Sequence, residues 1–106
     1  MTRINNESDI VIETSFSDKD GNLLPIPDYD FEFTYFVTID KVMKAGKRDT
    51  TFYNCYPSGD KVIVILNAPL FGIGALKCKK IYEVPDSRFP DGYRREVEIG
   101  IIAKIC

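Results

Sequence analysis

The 106-residue chain is predicted to be all-β, an antiparallel immunoglobulin-like β-sandwich of six to seven strands forming one domain over residues 1–106. Three observations carry this expectation. Apolar and polar residues alternate with period two through most of the chain, as in strands with one buried face. Clusters of Gly, Pro, Asn and Asp punctuate the runs at a spacing of about fifteen residues, as in sandwiches built from short strands. No segment shows the apolar spacing of an amphipathic helix. An apolar content of 44%, with 12% aromatics, suits a folded chain rather than a disordered one. A domain of this size buries roughly 60–70% of its unfolded surface, enough for a core without staples. A partly open barrel is the architectural alternative.

The first run places Ile10, Ile12 and Phe16 on one face, with Val11, Glu13 and Ser15 opposite. A turn cluster follows over 17–22. Pro25 and Pro27 then predict an extended edge or linker over 23–28, because proline brings no ladder donor. In the second run Phe31, Phe33, Tyr35, Val37 and Ile39 alternate with Asp30, Glu32, Thr34, Thr38 and Asp40; only Phe36 breaks the pattern. Residues 41–50, basic and containing Gly46, read as a loop or hairpin tip. Thr51 to Tyr56 reads as a short strand and 57–60 as a turn. Val62 to Leu66 is apolar on both faces, which fits a central covered strand or one whose outer face meets a partner.

After a loop over 67–74, Ala75 to Val84 forms the fifth strand. Leu76, Cys78, Tyr82 and Val84 alternate with Lys77, Lys79 and Glu83, and Lys80 falls on the apolar side. In the last strand Val97, Ile99, Ile101, Ala103 and Ile105 share a face opposite Glu96, Glu98, Ile102 and Lys104. Pro85-Asp86-Ser87-Arg88-Phe89-Pro90-Asp91-Gly92 joins the two as a stiff connection at the rim of the fold. Its prolines fix two φ angles, Asp91-Gly92 admits a positive one, and Phe89 is placed to anchor the centre on the core.

Charge and chemistry narrow the function classes. The net charge of −2 does not favour nucleic acid as a partner. Residues 1–40 hold nine acids and two bases, whereas 41–106 hold seven acids and twelve bases. If the halves occupy different faces, copies could meet acidic face to basic face; if neighbouring strands mix them, the asymmetry cancels. Apolar runs reach about half a dozen residues against the ~20 needed to span a bilayer, and Met1-Thr2-Arg3 does not resemble a signal peptide, so the expectation is no membrane and synthesis in a reducing cytoplasm. Cys55, Cys78 and Cys106 are odd in number and lack a Cys-x-x-Cys pair, which suits free thiols better than a Cys55–Cys78 bridge.

There is no histidine, which removes the usual general base and the commonest metal ligand. Asp18-x-Asp20-Gly21-Asn22 resembles half a calcium loop but lacks the glycine and glutamate at their required places. Asp28 and Asp30 could face Asp86 or Asp91, yet no motif positions them. Lys77, Lys79 and Lys80 beside Tyr82 read as solvated or edge-blunting lysines. The chain is therefore expected not to be an enzyme, with no catalytic, cofactor-binding or metal-binding residues. Surface contact is the stronger signal. The Leu70-Phe71-Gly72-Ile73 loop either plugs the sandwich end or meets a neighbour, and the second apolar faces of Val62–Leu66 and Ile99–Ile102 exceed what one core needs. The candidate partner contacts are Leu70, Phe71, Ile73, Ile63, Ile65, Ile102 and Phe89.

Gly74-Ala75-Leu76-Lys77-Cys78, Val84-Pro85-Asp86, Phe89-Pro90-Asp91-Gly92 and strand 95–105, with Arg3-Ile4-Asn5-Asn6-Glu7 leading to Asp28-Tyr29-Asp30-Phe31, carry a resemblance over most of the chain. It resembles small β-sandwich proteins of phage and prophage tail-fibre regions in gut bacteria, and is similar to the immunoglobulin-like N-terminal domain of phage baseplate upper proteins. The resemblance implies a virion structural protein, a tail, fibre or head-fibre attachment adaptor, assembled in the host bacterial cytoplasm. It implies several copies packed with other virion proteins, and no catalytic residues. The alternative is a carbohydrate- or protein-binding β-module in host adhesion, for which Tyr53, Tyr56 and Tyr93 would form an exposed platform and only then would a glycan be bound.

Overall fold

The computed structural model describes residues 2–17, 20–24 and 29–106. Asp18, Lys19 and the Pro25–Asp28 segment, with the turn, calcium-loop and carboxylate expectations that fall on them, lie outside the described residues. The chain is all-β. In order, the strands are β1 (Thr2–Ile4), β2 (Asp9–Thr14), β3 (Phe16–Ser17), β4 (Leu23–Leu24), β5 (Asp30–Phe36), β6 (Val42–Arg48), β7 (Thr51–Tyr53), β8 (Cys55–Ser58), β9 (Lys61–Asn67), β10 (Gly74–Pro85) and β11 (Tyr93–Ile105). They build a six-stranded sheet, β1-β11-β10-β5-β6-β7, and a three-stranded sheet, β2-β9-β8; β3 and β4 form a two-residue ladder of their own.

The two main sheets enclose one core. Phe31, Phe33 and Tyr35 of β5 project inward with Ala45 of β6, Leu76, Cys78 and Tyr82 of β10, and Ala103 and Ile105 of β11. Ile10 of β2 and Val62, Val64 and Leu66 of β9 face them from the small sheet. Burying each of the Val, Leu, Ile and Phe side chains among them contributes about 1.5–3 kcal/mol. The ring of Phe33 meets Tyr35 and Tyr82 edge-on, at centroid distances of 6.5 and 5.6 Å.

Several expectations are corrected here. The strand after Asp30 stops at Phe36, and Ile39 lies in the exposed turn that follows. Residues 42–48 are not a loop but β6, paired with β5 from Phe36–Val42 to Phe31–Lys47. The run from Thr51 to Tyr56 is divided at Asn54, whose φ of 54° turns the chain from the large sheet (β7) into the small one (β8). The Asn54 side-chain amide donates to the Lys44 carbonyl at 2.7 Å, and its own carbonyl accepts from the Ile65 N–H at 3.0 Å, so the corner is tied to both sheets. The pairing is antiparallel except between β1 and β11, where Thr2–Ile4 run parallel to Ala103–Ile105.

The acidic and basic halves do not form separate faces. Glu13 pairs with Lys61 at 2.9 Å and Glu32 with Lys44 at 3.4 Å, so neighbouring strands mix them. The three cysteines are free: Cys78 is buried, Cys55 half-buried and Cys106 exposed. Burial pushes the Cys78 thiol up to about 11 and also raises that of Cys55, so both sit in the core as weak, protonated thiols.

Candidate interaction surface

The outward faces of the two sheets carry the surface, and the loop at Leu70–Ile73 contributes less than its composition promises. Ala68–Leu70 forms one 3-10 turn, and the Phe71 N–H closes it on the Ala68 carbonyl at 3.0 Å. Phe71 then enters the core, with 2% of its surface exposed, so it is corrected from a partner contact to a plug of the sandwich end. Leu70 and Ile73 stay outside, Ile73 the more open of the two.

On the small sheet, β9 occupies the centre and its alternation is clean. Val62, Val64 and Leu66 are buried, while Ile63 is half-buried and Ile65 exposed. Val11 of β2 stands across from Ile65, and Tyr56 of β8 across from Ile63. These four side chains make an apolar patch on the outer face.

The large sheet holds the longer feature. β10 and β11 form a hairpin paired from Gly74–Ile105 to Pro85–Tyr93. Between Leu76 and Lys77 the register shifts: Leu76 opposes Ala103, but Lys77 opposes Ile101. Ile102 is the extra residue of a β-bulge, and a bulge reverses which side of the strand faces the core. Ala103 and Ile105 therefore point inward, whereas Val97, Ile99 and Ile101 point outward, 56%, 63% and 55% exposed. This corrects the reading that put all five on one face. Ile102 itself packs against the core cluster and is not a free contact residue. Glu96 and Glu98 take the inward face of β11, where Glu98 opposes Lys80 of β10. That accounts for Lys80 on the apolar side: its stem crosses the sheet and its ammonium lies 5.9 Å from the Phe33 ring centre.

Among the described residues, no strand pairs with the far edge of β11 before Ala103, where β1 begins. The strand thus offers Tyr93 to Ile102 as an open edge with an apolar outer row.

At the hairpin tip, residues 86–92 are closed by hydrogen bonds. The Asp86 N–H donates to the Gly92 carbonyl at 2.8 Å and the Gly92 N–H to Phe89 at 2.9 Å. Asp86 accepts from the Arg88 backbone at 3.0 Å and from its guanidinium at 2.7 Å. The side-chain bond from Arg88, then its backbone N–H, hold the Asp86 carboxyl down at about 2. Asp91 binds Arg95 at 2.7 Å. Phe89 does not reach the core; it is exposed and borders an open dent of about 530 Å³ with Pro90, Asp91, Tyr93 and Arg95.

The three tyrosines do not share a platform. Tyr53 is half-buried on the outer face of the large sheet and donates to Glu32 at 3.2 Å; burial first, then the charge and hydrogen bond of Glu32, push its hydroxyl up to about 12. Tyr93 lies at the hairpin tip and Tyr56 on the opposite sheet. No group of three or more Cys, Asp or Glu side chains able to hold a metal ion occurs among the described residues. Comparison with known proteins finds no matching family, no matching curated protein and no matching solved structure.

Proposed function

We propose that this chain is a virion structural protein, an adaptor of the tail, fibre or head-fibre apparatus that acts by packing against other virion proteins rather than by catalysis. The observation that carries an assembly role is the outward row Val97, Ile99 and Ile101 on an open strand edge. The neighbouring strands already cover nearly half of each of these side chains, so covering the rest contributes about 1 kcal/mol apiece. The resemblance at Phe89-Pro90-Asp91-Gly92 supplies the virion context, and the stiff tip suits a protein whose task is to hold two others at fixed separation. Gold labelling with an antibody against this chain should mark purified particles at a defined position in several copies. Particles that lack the chain, from cells that make it, overturn the virion reading.

A second reading, glycan binding during host adhesion, is favoured by the dent at the tip, where exposed Phe89 and Tyr93 lie beside Asp91 and Arg95. It requires that Tyr93→Ala abolish retention on a glycan surface; equal retention of both proteins removes it.

A further inference from the structure

We infer that β11 pairs with β11 of a second copy, antiparallel and about a two-fold axis, joining the two six-stranded sheets into one. This deepens the assembly reading and rests on it. Natural sheets blunt their edges with proline, with lysine and other charges (inward-pointing ones included), with bulges, short strands or cover. β11, the longest strand among the described residues, has neither proline nor lysine between Tyr93 and Ala103; its guards are the bulge at Ile102 and the charges Arg94, Glu96 and Glu98, which reject a foreign strand but can be matched by a second copy of themselves. The outer strands of the large sheet, β1 and β7, have three residues each, β1 leaving most of β11 uncovered, and Pro57 interrupts the edge at β8.

A two-fold normal to the sheet keeps outer faces together, so it passes through a residue that opposes its own copy. Geometry and charge select that residue. β1 occupies the lane beside Ala103–Ile105, so a partner strand must end before it. Centres beyond Val97 drive Tyr93 of one copy into β1 of the other. With Val97 at the centre, Glu96 opposes Glu98 twice and no opposite charges meet. With Arg95 at the centre, Arg94 opposes Glu96 twice, but two arginines collide with no acid beside them on that face of β11, and the ladder ends at Val97, leaving Glu98 and Ile99 unpaired. With Glu96 at the centre, Arg94 opposes Glu98 twice, Tyr93 opposes Ile99 twice, and Arg95 lays its stem along Val97. Opposite-charge and aromatic–β-branched pairs directly across a ladder are the stabilising kinds. The like pair at the axis is tempered within each copy, because Arg94 lies 2.9 Å from Glu96. The inward charges of β11 thus set the register of the pairing.

The test uses the whole chain with Cys106→Ser, to remove the exposed thiol. Light scattering after gel filtration should give twice the chain mass. Glu98→Arg should lower it to one chain mass with an unchanged circular dichroism spectrum, and adding Arg94→Glu should restore the dimer. In the same background Glu96→Cys should form a disulfide-linked dimer on oxidation, since residues directly opposite lie about 4.5–5.5 Å apart, within disulfide reach; Val97→Cys should not. A wild type that stays at one chain mass at every concentration overturns the inference, as does a dimer unaffected by Glu98→Arg or one cross-linked at Val97 instead. A monomer that still labels particles refutes the pairing alone, and a dimer absent from particles refutes the virion reading alone.

Discussion

At the scale of single residues, Gly46 shows how little room the large sheet leaves. A Cβ at this position would collide with the Phe31 carbonyl oxygen and sit 2.7 Å from the Tyr53 hydroxyl. The missing side chain lets the Tyr53 ring cross β6 and reach Glu32, an aromatic covering a strand glycine. Gly46→Ala should therefore destabilise the protein by about 1–3 kcal/mol through overpacking, measured as a lower urea midpoint with unchanged slope. Asp86 gives a pH signature. Its folded carboxyl sits at about 2 against the ordinary 3.8, so its contribution to tip order is complete above the ordinary value and is lost as pH falls through about 2. Arg88→Ala should move the carboxyl midpoint back up toward 3.8, read from its chemical shift during an acid titration. The core was largely legible at this scale: Phe31, Phe33 and Tyr35 are buried as their alternation required. Phe36 broke that alternation because it is the last residue of β5 and faces outward under the Lys77 ammonium, 5.9 Å from its ring centre.

At the scale of elements, tertiary geometry overrides local pattern in three places. Val42-Met43-Lys44-Ala45-Gly46-Lys47, basic and with one β-branched residue and a glycine, carries a loop's local pattern; its strand form comes from pairing with β5. The parity of β11 is not legible locally, because one bulge residue cannot be told from regular alternation in a run such as Ile101-Ile102-Ala103. The surplus of apolar residues on β9 and β11 was visible in the sequence, but only the bulge decides that Ile101, not Ile102, faces outward. The division of Thr51–Tyr56 was hidden because a left-handed Asn looks like any polar strand residue. Its conformation yields a test. Asn54→Val places a β-branched side chain at a φ of 54° and should cost at least ~1–2 kcal/mol, whereas Asn54→Gly should retain more stability, by thermal unfolding of the two variants.

At the scale of the whole molecule, the β10–β11 hairpin runs the length of a body 44 × 25 × 22 Å, with the rigid tip at one pole and the β1 ladder at the other. The parallel pairing of β1 with the end of β11 joins segments a hundred residues apart, and no local pattern in Thr2–Ile4 announces it. Its direction has a mechanical consequence. Tension that draws Thr2 and Ile105 apart acts along both strands in opposite senses, so the three residue pairs of the ladder, flanked by the bonds from Cys106 to Ile4 and from Asn6 to Cys106, bear the load together. Tension applied across the open ends of an antiparallel hairpin peels its bonds one at a time. Single-molecule stretching should therefore find a higher rupture force between the ends of β1 and β11 than between Gly74 and Ile105, which belong to the same hairpin mouth. A linker protein built this way would resist traction along its axis and yield readily to a sideways pull.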